Sequence, residues 1–349
     1  MDSRRPAGRR NGSCHSGRVL GPSSALSIAA AYDLGPVIEF TGPVARGEQG
    51  EVWRLITASG SWAVKVTFAP LSAAEAEGPA EFQAQAEAQG VPAPTGRRTT
   101  DGHWLIQVDD TIIRVFAWVE MDEPDPQLDP ALVGRTVAAL HQTVLPSSER
   151  PDGWYTEPVG AATWAEISAE AQRQQAPFAD QLAAVAGALV DMESMLRPMA
   201  PVQICHRDLW ADNVRGTPEG GLLVIDWDNA GPADPSRELG VVLFEFGRGR
   251  PDRLQSLYDA YLSHGGPGRL RTEADLSMVI AQLHHIGARQ LRRWLDPALA
   301  ADERVRALAG IEEFLDNPLD RAGVEEILVI TRSVFDSAPV RGAPVPHTT

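Results

Sequence analysis

The chain has 349 residues, 43% of them hydrophobic and 22% charged. That length suits about two domains or lobes of roughly 150 residues, and no run of about 20 apolar residues is present to span a bilayer. The formal net charge of -16 disfavours nucleic acid and anionic membranes as partners and suits a cationic small molecule, while two cysteines, Cys14 and Cys205, are too few for a disulfide framework and fit the cytoplasm.

Residues 1–30 carry five arginines and one acid among many Gly, Ser and Pro, and read as a disordered leader. The runs Val52–Ile56 and Trp62–Val66 are rich in β-formers and flank a turn at Ala58-Ser59-Gly60-Ser61, which predicts a hairpin. Residues 73–89, rich in Ala, Glu and Gln and stopped by Gly90, predict a helix. Two more strands follow, Trp104–Val108 and Thr111–Val119, with Asp109-Asp110 as the turn. The acidic, proline-bearing stretch 120–130 reads as a hinge. Beyond it the periodicity is helical: Leu132, Thr136, Val137, Leu140 and Val144 share one face. One or two helices are expected over 163–198, one over 273–295, and closing helices over 303–316 and 321–335. Residues 337–349 read as a tail.

One short β segment lies inside the helical part. Residues 204–213 read Ile-Cys-His-Arg-Asp-Leu-Trp-Ala-Asp-Asn, and the run Leu222–Ile225 leads into Asp226-Trp227-Asp228 after a polar turn at 217–221. These residue types suit phosphoryl transfer, which must orient a hydroxyl, take its proton and hold divalent metal across phosphates. Asp208 fits the base. Asn213 supplies a neutral oxygen and Asp226 an anionic one, a hard donor set for Mg²⁺. His206 is expected to hold the loop rather than to move protons. Asp228 fits a metal, loop-shaping or capping role. Among 31 basic residues Lys65 is the single lysine, as if one position needed a compact ammonium that a guanidinium cannot replace.

His206, Asp208, Asn213 and Asp226 together resemble the catalytic loop and metal-binding aspartate of the aminoglycoside phosphotransferase and choline kinase-like family, over roughly residues 36–335. The resemblance implies an α+β, two-lobed protein-kinase-like fold with a small β-rich N-lobe (31–119), a hinge (120–130) and a larger helical C-lobe (131–336). It implies ATP, or GTP in its stead, with Mg²⁺ as cofactor. In that fold a strand lysine grips the nucleotide phosphates and pairs with a helix glutamate, so Lys65 takes the first role. Glu75, Glu77, Glu81 and Glu87 compete for the second, with Glu81 most similar in position. Gly47 and Gly50, which also fit a plain hairpin turn, correspond to the phosphate-covering loop. The implied activity is transfer of a γ-phosphate to a hydroxyl of a small molecule, of the aminoglycoside type or of the choline, homoserine or sugar type.

Two positions depart from that pattern: Arg207 where a small residue is common, and Trp210 where histidine is common. A protein kinase is opposed by the short distance from Asp226 to the next helix, and a non-catalytic nucleotide-binding module by retention of lysine, base and metal residues. His141 is expected to pack against the catalytic loop, Cys205 to be core, and the helical His284-His285 pair not to bind metal.

Overall fold

Pro22 opens α1 (Pro22–Ala31), with Ala25, Ile28, Ala29 and Tyr32 buried at helical spacing. The computed structural model describes residues 20–47, 50–68, 73–108, 111–200, 202–316 and 318–337. The helix corrects the expectation of a disordered leader through residue 30; residues 1–19 lie outside the described part. The apolar stripe is short and set in a Gly- and Ser-rich context, which hides it. Its stability comes from packing against a sheet rather than from propensity.

That sheet is antiparallel, in the order β1-β2-β3-β5-β4. Its strands are β1 (Val37–Arg46), β2 (Gly50–Thr57), β3 (Gly60–Thr67), β4 (Ile106–Val108) and β5 (Thr111–Ala117). The Asp109-Asp110 turn lies outside the described residues. Side chains alternate across a strand, so Trp53 and Leu55 of β2, Val64 and Val66 of β3, and Ile113 and Val115 of β5 form one core with α1. Each such buried side chain contributes about 1.5–3 kcal/mol. The opposite face carries Lys65, in register with Val52 on one side and Arg114 on the other. Tyr32 ties α1 to the sheet, its hydroxyl lying 3.0 Å from the Ile113 carbonyl.

This unit comprises the described residues of 1–73 together with Gly96–Trp118. The helix expected over 73–89 forms as α2 (Ala73–Ala88), but Ala74–Thr95 belongs to the second unit with Val119 onward. This corrects the boundary drawn around the N-lobe. The reason is packing: Phe82 and Ala86 of α2, and Val91 after it, join the second unit's core, where Phe82 meets Trp227 edge-on at 5.5 Å.

The second unit is mainly helical. Its helices are α3 (Pro130–Gln142), α4 (Ala161–Arg173), α5 (Ala179–Glu193), α6 (Pro235–Gly247), α7 (Pro251–Ser263), α8 (Ser277–Leu295), α9 (Ala301–Asp316) and α10 (Arg321–Ser337). Asp129 caps α3 through Ala131 N (2.9 Å), and Asp234 caps α6 through Ser236 N (2.8 Å). Of the expected face, Thr136, Val137 and Leu140 of α3 are buried and Leu132 is half-buried, with Val133 buried beside it, whereas Val144 lies past the helix end and is exposed. Helix α6 is buried on nearly every side, as befits a helix through the middle of a bundle. The tail from residue 338 lies outside the described part.

Four short strands are set among these helices: β6 (Gln203–Cys205), β7 (Val214–Gly216), β8 (Leu222–Val224) and β9 (Gly231–Ala233). β7 pairs with β8 across the expected polar turn, while β6 pairs with β9. Of the stretch 120–130 expected as a hinge, residues 120–129 form no helix or strand while Pro130 opens α3, and Asp122 N donates to the Gly216 carbonyl of β7 at 3.0 Å.

Candidate active site

Each of the three polar residues singled out in the second unit stands at the end of one of these short strands. Asp208 follows β6. Asn213 immediately precedes β7, and Asp226 comes two residues after β8. The β7–β8 ladder continues one step further: Ile225 N donates to the Asn213 carbonyl at 2.9 Å. That bond brings the chain bearing Asp226 alongside the chain bearing Asn213. Asp226 adopts a left-handed backbone, φ 58°, which turns the chain sharply from β8 into a 3₁₀ turn over Trp227–Asn229. Strained backbone of this kind persists only where the surroundings fix it.

The Asp208 carboxylate is anchored by amides. Asn213 Nδ2 donates to its Oδ2 at 2.9 Å and to its main-chain carbonyl at 3.0 Å. Asn229 Nδ2 reaches the same Oδ2 at 2.9 Å. Burial pushes the Asp208 carboxyl above the ordinary aspartate range, against the pull of His206 and of the Asn229 hydrogen bond. His206 is fully buried, and burial holds its ring below the ordinary histidine value. Its Nε2 lies 3.1 Å from the Ile225 carbonyl, so the neutral ring donates there and holds the loop to the end of β8, as expected.

Beneath the loop lies Glu238 of α6, with no exposure. It accepts from His141 Nε2 at 2.9 Å, from His206 N at 3.4 Å, and from Arg207 N. Burial raises its carboxyl, but the His141 hydrogen bond and the charges around it outweigh that and hold it below the ordinary value. His141 completes the chain through Nδ1, 2.8 Å from the Tyr261 hydroxyl. It therefore packs under the loop that follows β6, and Cys205 is fully buried core, both as expected. His284 is buried against Glu193 rather than grouped with other ligands.

Arg207 takes φ 65°, a backbone that small residues adopt with less strain. Besides the bond from its N–H to Glu238, three contacts hold it there. Its carbonyl accepts from Gln282 Nε2 at 2.8 Å, its Nε donates to the Asn229 carbonyl at 2.7 Å, and its guanidinium lies 4.3 Å from the centre of the Tyr155 ring. Burial pushes the Tyr155 phenol up to about 12, so it stays neutral. The guanidinium passes where a Gly231 side chain would stand, so a larger residue there would displace the guanidinium. Trp210, the other departure, packs edge-on to Phe244 at 6.3 Å.

Asn213 and Asp226 fit a magnesium ion. The amide nitrogen of Asn213 is committed to Asp208, which leaves its oxygen as the amide's one acceptor. Two protein oxygens are what Mg²⁺ takes when phosphates and water complete its shell. Among the described residues no group of three or more His, Cys, Asp or Glu could hold a metal alone.

In the first unit, Lys65 is half-buried in the middle of β3. Glu81 is exposed on α2, in the second unit, with Glu77 and Glu87 on the same helix. Gly47 and Gly50 close the β1–β2 connection, Gly47 N donating to the Gly50 carbonyl at 2.9 Å. A side chain on Gly50 would collide with the Val66 carbonyl of β3, so sheet packing alone requires glycine there. Glu48 and Gln49 lie outside the described residues.

Sequence reasoning missed Asn229, Tyr155 and Gln282. No spacing signal marks them, because their contacts come from a 3₁₀ turn and from residues distant in the chain.

Comparison with known proteins bears on the family and the fold. A curated relative, an uncharacterised protein of Deinococcus radiodurans, is 32% identical over 174 residues, which cover 47% of each chain; the match thus spans about half of that relative. An aminoglycoside phosphotransferase from Alicyclobacillus acidocaldarius superposes with a TM-score of 0.62 at 15% identity, covering 93% of this chain and 98% of the other. Spectinomycin phosphotransferase, solved with ADP and spectinomycin, gives a TM-score of 0.62 at 14% identity, covering 90% and 99%. At these identities the superpositions establish the kinase-like fold. The sequence model of the phosphotransferase enzyme family matches residues 41–275, a span that includes Lys65 and the whole loop from His206 to Asp226, and the chain belongs to that family.

Proposed function

We propose that this protein is an ATP-dependent kinase that transfers a γ-phosphate to a hydroxyl group of a small molecule. The observation that carries the reading is the carboxylate of Asp208, anchored at Oδ2 by Asn213 while the Asn213 carbonyl accepts from Ile225, the residue before Asp226. A base beside two hard oxygen donors is the arrangement phosphoryl transfer requires.

In this reading Asp208 takes the proton of the acceptor hydroxyl. The acceptor oxygen then bonds to the γ-phosphorus, the bond from that phosphorus to the β–γ bridging oxygen breaks, and ADP leaves with the electron pair. Burial raises the affinity of Asp208 for protons, which suits a base. Asn213 and Asp226 would hold Mg²⁺, which when bound neutralises phosphate charge. Lys65 is assigned to the nucleotide phosphates and Glu81 to orienting that lysine; Gly47 and Gly50 are assigned to the phosphate-covering loop. ATP is the expected donor, with GTP tested beside it.

A small-molecule acceptor is supported by the short path out of the site. From Asp226 the chain makes one 3₁₀ turn and β9 before α6 begins at Pro235, which leaves no long segment to seat a peptide. An aminoglycoside-type acceptor is supported by the net charge of -16, which attracts polycations. Choline, homoserine and sugars use the same chemistry. No helix among the described residues is long and apolar enough to cross a membrane.

The deciding experiment is nucleotide consumption by the purified protein with Mg²⁺, using ATP or GTP, against a panel of aminoglycosides, spectinomycin, choline, homoserine and sugars. Product is identified by mass. An acceptor gaining one phosphate, with turnover lost in Asp208→Asn, supports the reading. Turnover unchanged in Asp208→Asn would overturn Asp208 as base.

A further inference from the structure

A carboxylate has two equivalent oxygens, and rotation about its last bond exchanges them unless something distinguishes them. In Asp208 something does. Two amides, Asn213 from the start of β7 and Asn229 from the turn after β8, each donate to Oδ2 at 2.9 Å. A carboxylate only accepts, so both side chains must present nitrogen. The second amide is itself fixed, because Arg207 Nε holds the Asn229 main-chain carbonyl at 2.7 Å and the Arg207 guanidinium rests on Tyr155 at 4.3 Å. The absence of a side chain at Gly231 leaves room for that guanidinium.

We infer that Asn229 is a positioning residue for the phosphoryl-transfer base, with Arg207 as its support. Asn213 and Asn229 together saturate Oδ2 and stop the carboxylate from rotating, so Oδ1 is the oxygen that receives the acceptor's proton. Arg207, out of place in the family pattern, thereby acquires a function: it sets the turn that carries Asn229. The inference rests on the kinase reading for its kinetic consequence, and on geometry alone for the orientation of Asp208.

The test uses the full chain with Asn229→Ala and the isosteric Asn229→Asp, each alone and in an Asp208→Asn background. The probe is MgATP with water as phosphate acceptor, read as ADP release. Loss of one aligned donor is expected to lower kcat about tenfold, a part of what a general base contributes. KM for MgATP should stay within about twofold, since only the base is misaligned. In the Asp208→Asn background, Asn229→Ala should produce no further loss. Equal losses in both backgrounds, or none in either, overturn the positioning role.

A second arm needs no activity. Crystal structures of Asn229→Ala, or of Asn229→Asp where the alanine variant does not fold, should show the Asp208 carboxylate turned or split between two orientations with the β7–β8 ladder unchanged. A carboxylate in its original single orientation overturns the inference. If Asp208→Asn leaves ADP release intact, the assignment of Asp208 as base fails by itself, and this second arm still decides whether Asn229 orients Asp208.

Discussion

Ile225 donates its main-chain N–H to the carbonyl of Asn213 at 2.9 Å. This one bond extends the β7–β8 ladder past its last side-chain pair and sets the distance between the chains bearing Asn213 and Asp226, the two residues proposed to hold magnesium. Their relative position thus depends on strand register, which the packing of Val214, Leu222 and Val224 in the second unit's core enforces. The candidate site hangs on the ends of buried strands.

The first prediction concerns the base. Asp208→Ala should reduce phosphoryl transfer by about 10²-fold or more, the contribution of a positioned general base. Nucleotide affinity, measured by calorimetry, should hold within a few-fold, because Asp208 is assigned to the acceptor side. Burial raises the Asp208 carboxyl, so transfer should decline as acid protonates it, at a pH above the ordinary aspartate value near 3.9. A rate profile flat down to that value would contradict the assignment.

The second concerns metal. Asp226→Ala and Asn213→Ala should each raise the Mg²⁺ concentration needed for half-maximal turnover, Asp226→Ala more so because it removes a charge. Asn213→Ala also removes one anchor of Asp208 Oδ2, so its kcat should not recover at saturating magnesium. Full recovery there would mean that Asn213 serves the metal alone.

Much of this was legible in the sequence because it is periodic or local. The β-formers in Val52–Ile56 and Trp62–Val66 around a turn marked β2 and β3, and the His206-Asp208-Asn213 spacing with a strand running into Asp226 marked the candidate site. What escaped notice depends on tertiary context. Helix α1 is visible only through the sheet it covers. β9 is three residues long with proline in the middle, and it exists because β6 lies beside it. α2 reads as a helix in isolation, yet only the contacts of Phe82 and Ala86 show which unit it joins. Asn229 reaches Asp208 only because Asp226 turns left-handed.

The third prediction tests the support under the loop. Glu238 gathers donors from His141, His206 and Arg207 without exposure to water. Glu238→Ala strands those donors and should destabilise the fold by about 3–5 kcal/mol, read from denaturant midpoints. Glu238→Gln keeps the shape but lacks one acceptor, so it should cost less. Equal stability of Glu238→Ala and the parent would show that the network adds nothing to the fold.

The fourth lies away from the site. Glu193 is buried and accepts from Val159 N at 3.1 Å, Gly160 N at 2.9 Å, Trp164 Nε1 at 2.9 Å and His284 Nδ1 at 3.1 Å. Burial alone would raise its carboxyl, but these bonds, that of His284 foremost, hold it below the ordinary glutamate value. A carboxyl depressed in the folded state adds stability that is fully present above its unfolded pKa, about 4.3, and is lost as pH falls through the lower folded value. Glu193→Gln removes that titration. Its unfolding free energy should therefore be lower than the parent's at neutral pH, and the difference should shrink as pH falls from about 5 toward 3. Urea denaturation across that range reads it directly. A constant difference at every pH would mean that Glu193 contributes packing and hydrogen bonds but no charge-linked stability.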